Sequence, residues 1–171
     1  MNDHPIKVEL LKFLQIKNNE ELKRQNKVLS NLVKEPGSSM ILMSLLDNEE
    51  VHSLQQLISN LLKKSIAKRF LDMSPEEKEE LKKTLLFKHI LHSTKFKDTV
   101  LQKLCESVGA IVNLDDLNVD QWPELYQILI EGMEFTDKNK TMKSLFILDS
   151  ILQLETENII YAQQKLFFSK L

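Results

Sequence analysis

Two histidines three residues apart, His89 and His92, are the first side chains to weigh for chemistry. On a helix that spacing places both rings on one face, where their nitrogens could share a metal ion. No third ligand stands nearby and the HExxH pattern is absent, so surface histidines are the favoured reading. The single cysteine, Cys105, lies within an apolar stripe and reads as an inert core thiol. Serine, histidine and aspartate occur in no nucleophile-elbow or glycine-rich setting. The residues form no catalytic constellation and imply no metal and no cofactor. The expectation is a binding protein, not an enzyme. Trp122-Pro123 invites a binding-site reading, but packing at a helix start is favoured.

The totals narrow the class. The chain has 171 residues, the length of one domain or a short array. Three glycines and four prolines are few for strands and turns, and no run alternates with period two. An all-α fold follows. Basic and acidic residues nearly cancel, 23 against 25, so bulk charge forecasts no polyanion partner. One cysteine cannot form an internal disulfide, which suits a reducing compartment. The longest apolar run, around Met40 to Leu46, is too short to span a bilayer, and the N-terminus lacks the pattern of a signal peptide.

The elements can be placed around Val51 to Phe70. There Val51, Leu54, Leu57, Ile58, Leu61, Leu62 and Ile66 share one side of a 3.6-residue helix. The stripe is wide enough to meet more than one neighbour. Before it, Pro5 opens a helix to Ile16, with Ile6, Leu10, Phe13 and Leu14 inward. Glu20 to Lys34 follows and ends at Pro36-Gly37, after which Ser38 and Ser39 can cap a short helix through Leu46. Ser74-Pro75-Glu76-Glu77 is a capping box opening a helix to about Leu91. Lys95 to Val112, Trp122 to Gly132 and Thr141 to Leu154 are the next helices, and a ninth begins near Glu157. The second helices begin near Glu20, Val51, Phe96 and Thr141, a spacing suited to helical-pair repeats such as HEAT. The expected fold is an α-α superhelix of about four pairs, over 5–35, 36–70, 74–112 and 119–154, with an incomplete repeat over 157–171. The chain stops inside an apolar helix with no polar cap, which reads as a fragment or a truncated product with a self-associating end.

Three stretches carry a family resemblance. KRQNKVLSNLVKEPG resembles the opening repeat of importin-β (karyopherin-β) nuclear transport receptors. SLQQLISNLLKKSIAKRF with SPEEKEELKKTLL is similar to the next step, and DLNVDQWPELYQILIEG to a later outer helix opened by Trp-Pro. The branch that imports ribosomal proteins and histones looks closest. The resemblance implies that the first repeats hold the GTP form of Ran on a concave face. It further implies protein cargo further along, nucleoporin Phe-Gly repeats between outer helices, and work in cytoplasm, nucleus and nuclear pore. Carried over by position, the Ran-contact candidates are Arg24, Lys27 and Asn31, then Gln56, Asn60, Lys63 and Lys64, then Gln102, Lys103 and Glu106. No membrane and no direct nucleic acid is expected. The alternative is a HEAT-type scaffold without a GTPase partner, binding proteins, or binding nucleic acid through KKSIAKR.

Overall fold

A computed structural model describes residues 5–13, 15–115, 122–134 and 136–168, with side chains through Gln153. Among them are eight α-helices and no strand. They are α1 (Pro5–Phe13), α2 (Asn19–Leu32), α3 (Ser38–Asn48), α4 (His52–Arg69), α5 (Pro75–Lys83), α6 (Asp98–Leu114), α7 (Pro123–Gly132) and α8 (Lys138–Phe168). A 3-10 turn, Phe70–Asp72, follows α4, and a π-helical segment, Thr84–Leu91, extends α5. The fold is an all-α helical-repeat solenoid of antiparallel pairs. The second helix of each pair builds the inner layer: α2 touches α4, α4 packs on α6, and α6 packs on α8. The first helices flank that layer, with α3 on α4, the π segment on α6 and α7 on α8.

Local chemistry explains the boundaries. Ser74 caps α5 with its hydroxyl accepting from Glu77 N at 3.2 Å, while Ser74 N donates to the Glu77 carboxylate at 2.9 Å. Pro75 fills the first helical position, where no partner is lost. Ser38 and Ser39 do not cap α3 as expected. Gly37 stands at the cap with φ of 75°, a left-handed conformation that favours glycine. The two serines instead turn inward. Their hydroxyls meet Ser65 Oγ at 2.6 and 2.7 Å, and Ser38 also donates to Val33 O.

Several expectations shift. On α4, Leu54, Ile58, Leu61, Leu62 and Ile66 are buried, but Val51 precedes the helix and is 50% exposed, and Leu57 is only partly covered. Gln55, Ser59 and Ser65 share the buried side. Each finds a nearby partner: Gln55 donates to Glu49 O and Ser59 to Gln55 O, so short polar side chains can sit where a pure stripe would put carbon. Phe96 is buried but precedes α6, which starts at Asp98. The expected eighth and ninth helices are one helix, α8, because nothing between Leu154 and Glu157 breaks a helix. The partial fifth repeat is thus backbone continuous with α8. Leu14 and the side chains of Ile159, Ile160, Leu166, Phe167 and Phe168, the expected sticky end, lie outside the described residues.

The last pair is held by close approach. Thr141 donates to Gly132 O at 3.0 Å and Ser144 to Ile128 O at 3.1 Å. A Cβ on Gly132 would lie 2.1 Å from Ser144 Oγ and 2.3 Å from its Cβ. Gly132→Ala should therefore force α7 from α8 and cost about 1–3 kcal/mol, the usual range for overpacking. Adding Ser144→Gly should restore the denaturation midpoint. A separate series tests the inner layer. Leu61→Ala should cost about 2–5 kcal/mol and Leu57→Ala distinctly less, read from urea midpoints at constant slope.

Candidate partner-binding face

The buried arc of α6 is wide because the helix has neighbours on several sides. Val100, Leu101, Leu104, Cys105, Val108, Ile111 and Val112 are all buried. What stays outside is a narrow polar arc holding Gln102, Lys103 and Glu106. On α4 the matching arc holds Gln56, Asn60, Lys63 and Lys64. The two arcs are joined by an ion triplet. Glu106 takes Lys63 Nζ at 2.9 Å on one carboxylate oxygen and Lys103 Nζ at 2.7 Å on the other. Burial pushes the Glu106 carboxyl upward, but the hydrogen bonds from Lys103 and Lys63 outweigh it and hold the group below its ordinary 4.5.

Of the ten residues carried over, the structure brings Lys63, Lys103 and Glu106 into one contact set. Asn60, Lys64 and Gln102 are exposed beside it and Gln56 is half-buried. Arg24, Lys27 and Asn31 are exposed on α2, and Asn31 accepts from Lys34 at 3.2 Å. The triplet carries a net positive charge amid neutral amides, a mixed surface suited to another protein's mixed surface. The basic run KKSIAKR is not a uniform stripe. Lys63 faces Glu106, Arg69 pairs with Asp72 at 3.1 Å, and Ser65 and Ile66 point inward.

The candidate chemistry resolves differently at each position. Cys105 is fully buried and burial pushes its thiol up to about 12, which leaves it unreactive. His89 is not on the surface but 1% exposed. Its Nδ1 faces Thr84 O at 3.1 Å and its Nε2 faces Met43 O at 3.2 Å. A neutral ring can donate to only one of those carbonyls. Asp47 Oδ1 lies 3.2 Å from Nε2 as well, so the ring ties the π segment to α3 and is not presented to a metal. His92 is exposed. Trp122 is 6% exposed and packs at the start of α7 under the Lys82 ammonium, 5.5 Å from its ring.

Sequence reasoning missed the lysines that end the helices. Lys95 Nζ donates to Leu46 O and Asp47 O at 2.7 and 2.8 Å, closing α3 from the next pair. Lys143, 3% exposed, donates to Leu91 O and Ser93 O at 2.8 and 3.1 Å, closing the π segment in the same manner. Burial lowers the proton affinity of Lys143. The available signal was the scarcity of glycine, since helix ends without a glycine cap need another donor.

Residues 26–91 match the family model of the importin-beta N-terminal domain. No curated protein and no solved structure matches the chain. The matched stretch runs from within α2 to the end of the π segment and includes Lys27, Asn31, Gln56, Asn60, Lys63 and Lys64. Arg24, Gln102, Lys103 and Glu106 fall outside it. No helix among the described residues is long and apolar enough to cross a membrane.

The lowered Glu106 makes a pH prediction. A carboxyl depressed in the folded state stabilises above its unfolded value, and that contribution is lost as pH falls through the folded value. Wild type should lose stability as pH drops below 4.5, and Glu106→Gln should show a shallower loss over that window. Urea denaturation at a series of pH values reads the difference.

Proposed function

We propose that the chain is the N-terminal, Ran-binding array of an importin-β-type nuclear transport receptor, a binding module and not an enzyme. It takes Ran in the GTP form and works between cytoplasm and nucleus at the pore. The observation that carries the reading is the importin-beta N-terminal domain match over 26–91, which falls on the helices bearing the polar arc around Asn60 and Lys64. Lys63, Lys103 and Glu106 hold one another in fixed geometry across α4 and α6, so the arc meets a partner with little side-chain ordering left to do. Gln56, Asn60 and Gln102 add hydrogen-bonding groups on either side, and Arg24, Lys27 and Asn31 extend the arc along α2. Protein cargo and nucleoporin Phe-Gly repeats are the further partners this reading includes. The likeness to the branch importing ribosomal proteins and histones makes those the cargo class to try first. A nucleic-acid scaffold is less well supported, because Lys63 and Arg69 of the basic run already face carboxylates.

The test is a titration against Ran loaded with GTP or GDP. Wild type should bind the GTP form with micromolar affinity, on the order of −8 kcal/mol, and the GDP form far more weakly. The double variant Asn60→Ala, Lys64→Glu should weaken GTP-form binding tenfold or more, on the order of 1.4 kcal/mol or above, with an unchanged helical spectrum. Lys64 is chosen over Lys63 because reversing Lys63 would also set two carboxylates against each other. Equal binding to both nucleotide forms, or none at high micromolar concentration, would overturn the reading.

A further inference from the structure

His89 is enclosed by acceptors. Its ring is 1% exposed, between the π segment that carries it and α3. Nδ1 lies 3.1 Å from Thr84 O, and Nε2 lies 3.2 Å from both Met43 O and Asp47 Oδ1. Two of these partners are carbonyls and the third is a carboxylate, so none has a hydrogen to give. A neutral imidazole carries one N–H and one lone pair. Either tautomer therefore turns a buried lone pair onto oxygen at 3.1 or 3.2 Å, and a buried mismatch of that kind is costly. The imidazolium carries an N–H on each nitrogen and matches all three acceptors, Nε2–H being shared between Met43 O and Asp47 Oδ1.

The charges around the ring act in both directions. Asp47 sets a negative charge against Nε2, and α3 ends at Asn48, so the ring lies by the negative end of that helix dipole. Burial opposes a charged ring. So do two cations. The Lys88 ammonium is paired with Asp47 Oδ2 at 2.6 Å, and the Lys95 ammonium sits on Leu46 O and Asp47 O at 2.7 and 2.8 Å. Both ammonium groups are spent on oxygens at the end of α3, and neither offers a hydrogen to the ring. With an acceptor at each nitrogen, the imidazolium charge is paired and not merely buried. Phe96 stacks on the ring with centroids 6.2 Å apart and planes 17° from parallel, which holds both nitrogens toward their oxygens.

We propose that His89 is held in the fold as the imidazolium, with both ring nitrogens donating and Asp47 as its counter-ion, and that this proton is a clasp between the second and third helical pairs. Nδ1–H closes on Thr84 O within the π segment, and Nε2–H reaches across to Met43 O and Asp47 of α3. Loss of the proton to water turns one of those contacts into a lone pair against oxygen, and α3 and the π segment loosen there. The clasp joins first helices, apart from the polar arcs of α2, α4 and α6, and does not rest on the Ran reading.

Long-range proton–nitrogen correlation NMR on the whole chain at neutral pH reads the ring directly. In wild type the two ring nitrogens of His89 should resonate close together, as in an imidazolium, and both should carry a slowly exchanging proton. Asp47→Asn changes one partner. Its amide can keep an oxygen toward Lys88 and turn an N–H to Nε2, a match for the neutral ring with its hydrogen on Nδ1. In that variant the two resonances should split and the Nε2 proton should vanish. Amide exchange over residues 84–91 and the last turn of α3 should quicken about tenfold, with α6 unchanged. Lys88→Met removes the exposed ion pair and keeps the carboxylate, so its resonances should stay together and its exchange should stay within about twofold of wild type. A split pair in wild type, a pair that stays together in Asp47→Asn, or equal exchange in the two variants would overturn the proposal.

Discussion

The packing of α6 between α4 and α8 is the contact on which the rest of the molecule depends. One helix is covered on several sides by apolar side chains, from Val100 to Val112. A helix so enclosed has little surface left, and what is left must be polar. That is why Gln102, Lys103 and Glu106 lie in a single narrow arc. The neighbouring stripe on α4 forces the same outcome there, so two polar arcs come to lie side by side. Glu106 then joins them, with Lys63 from one helix and Lys103 from the other. Both lysines are partly solvated, so the triplet adds little to stability and more to the fixed placement of charge.

A second constraint sets the register between pairs. A helix ends with carbonyls that need donors, and this chain has three glycines for the whole fold. At the ends of α3 and the π segment the donor is a lysine from the next pair, Lys95 in one case and Lys143 in the other. Lys88 adds an ion pair to Asp47 at 2.6 Å, and the buried His89 reaches Met43 O across the same junction. The second and third pairs are therefore each closed by a lysine of the pair that follows. Between α3 and the π segment these polar ties keep adjacent first helices in register. Between the π segment and α7 the first helices part, and the gap is the cleft lined by Phe87 and Glu124.

The fold was legible because its signals are local and repeated. Ser74-Pro75-Glu77 specifies a helix start through atoms within one turn, and the structure realises both of its hydrogen bonds. The leucine stripe of α4 follows from period alone. Two of the misses depend on contacts distant in sequence. Ser38 and Ser39 look like caps until Ser65, some 26 residues on, offers a buried partner. His89 looks solvent-facing until α3 supplies Met43 O and Asp47. Val51 fits the stripe by spacing, yet it precedes the helix and half of it faces water. The break expected near Glu157 is absent, since the stretch before it contains neither glycine nor proline. For the partner face, spacing could place the polar arcs but not the Glu106 triplet that joins them.

On the proposed function, the arcs of α4 and α6 together meet the GTP form of Ran. Amide hydrogen exchange on the whole chain, with and without Ran in its GTP form, tests it most directly. Added protection is expected on α4 and α6 around Asn60 and Glu106, with α3 and α7 unchanged. Protection confined to α3, the π segment or α7, or none at saturating Ran, would contradict it.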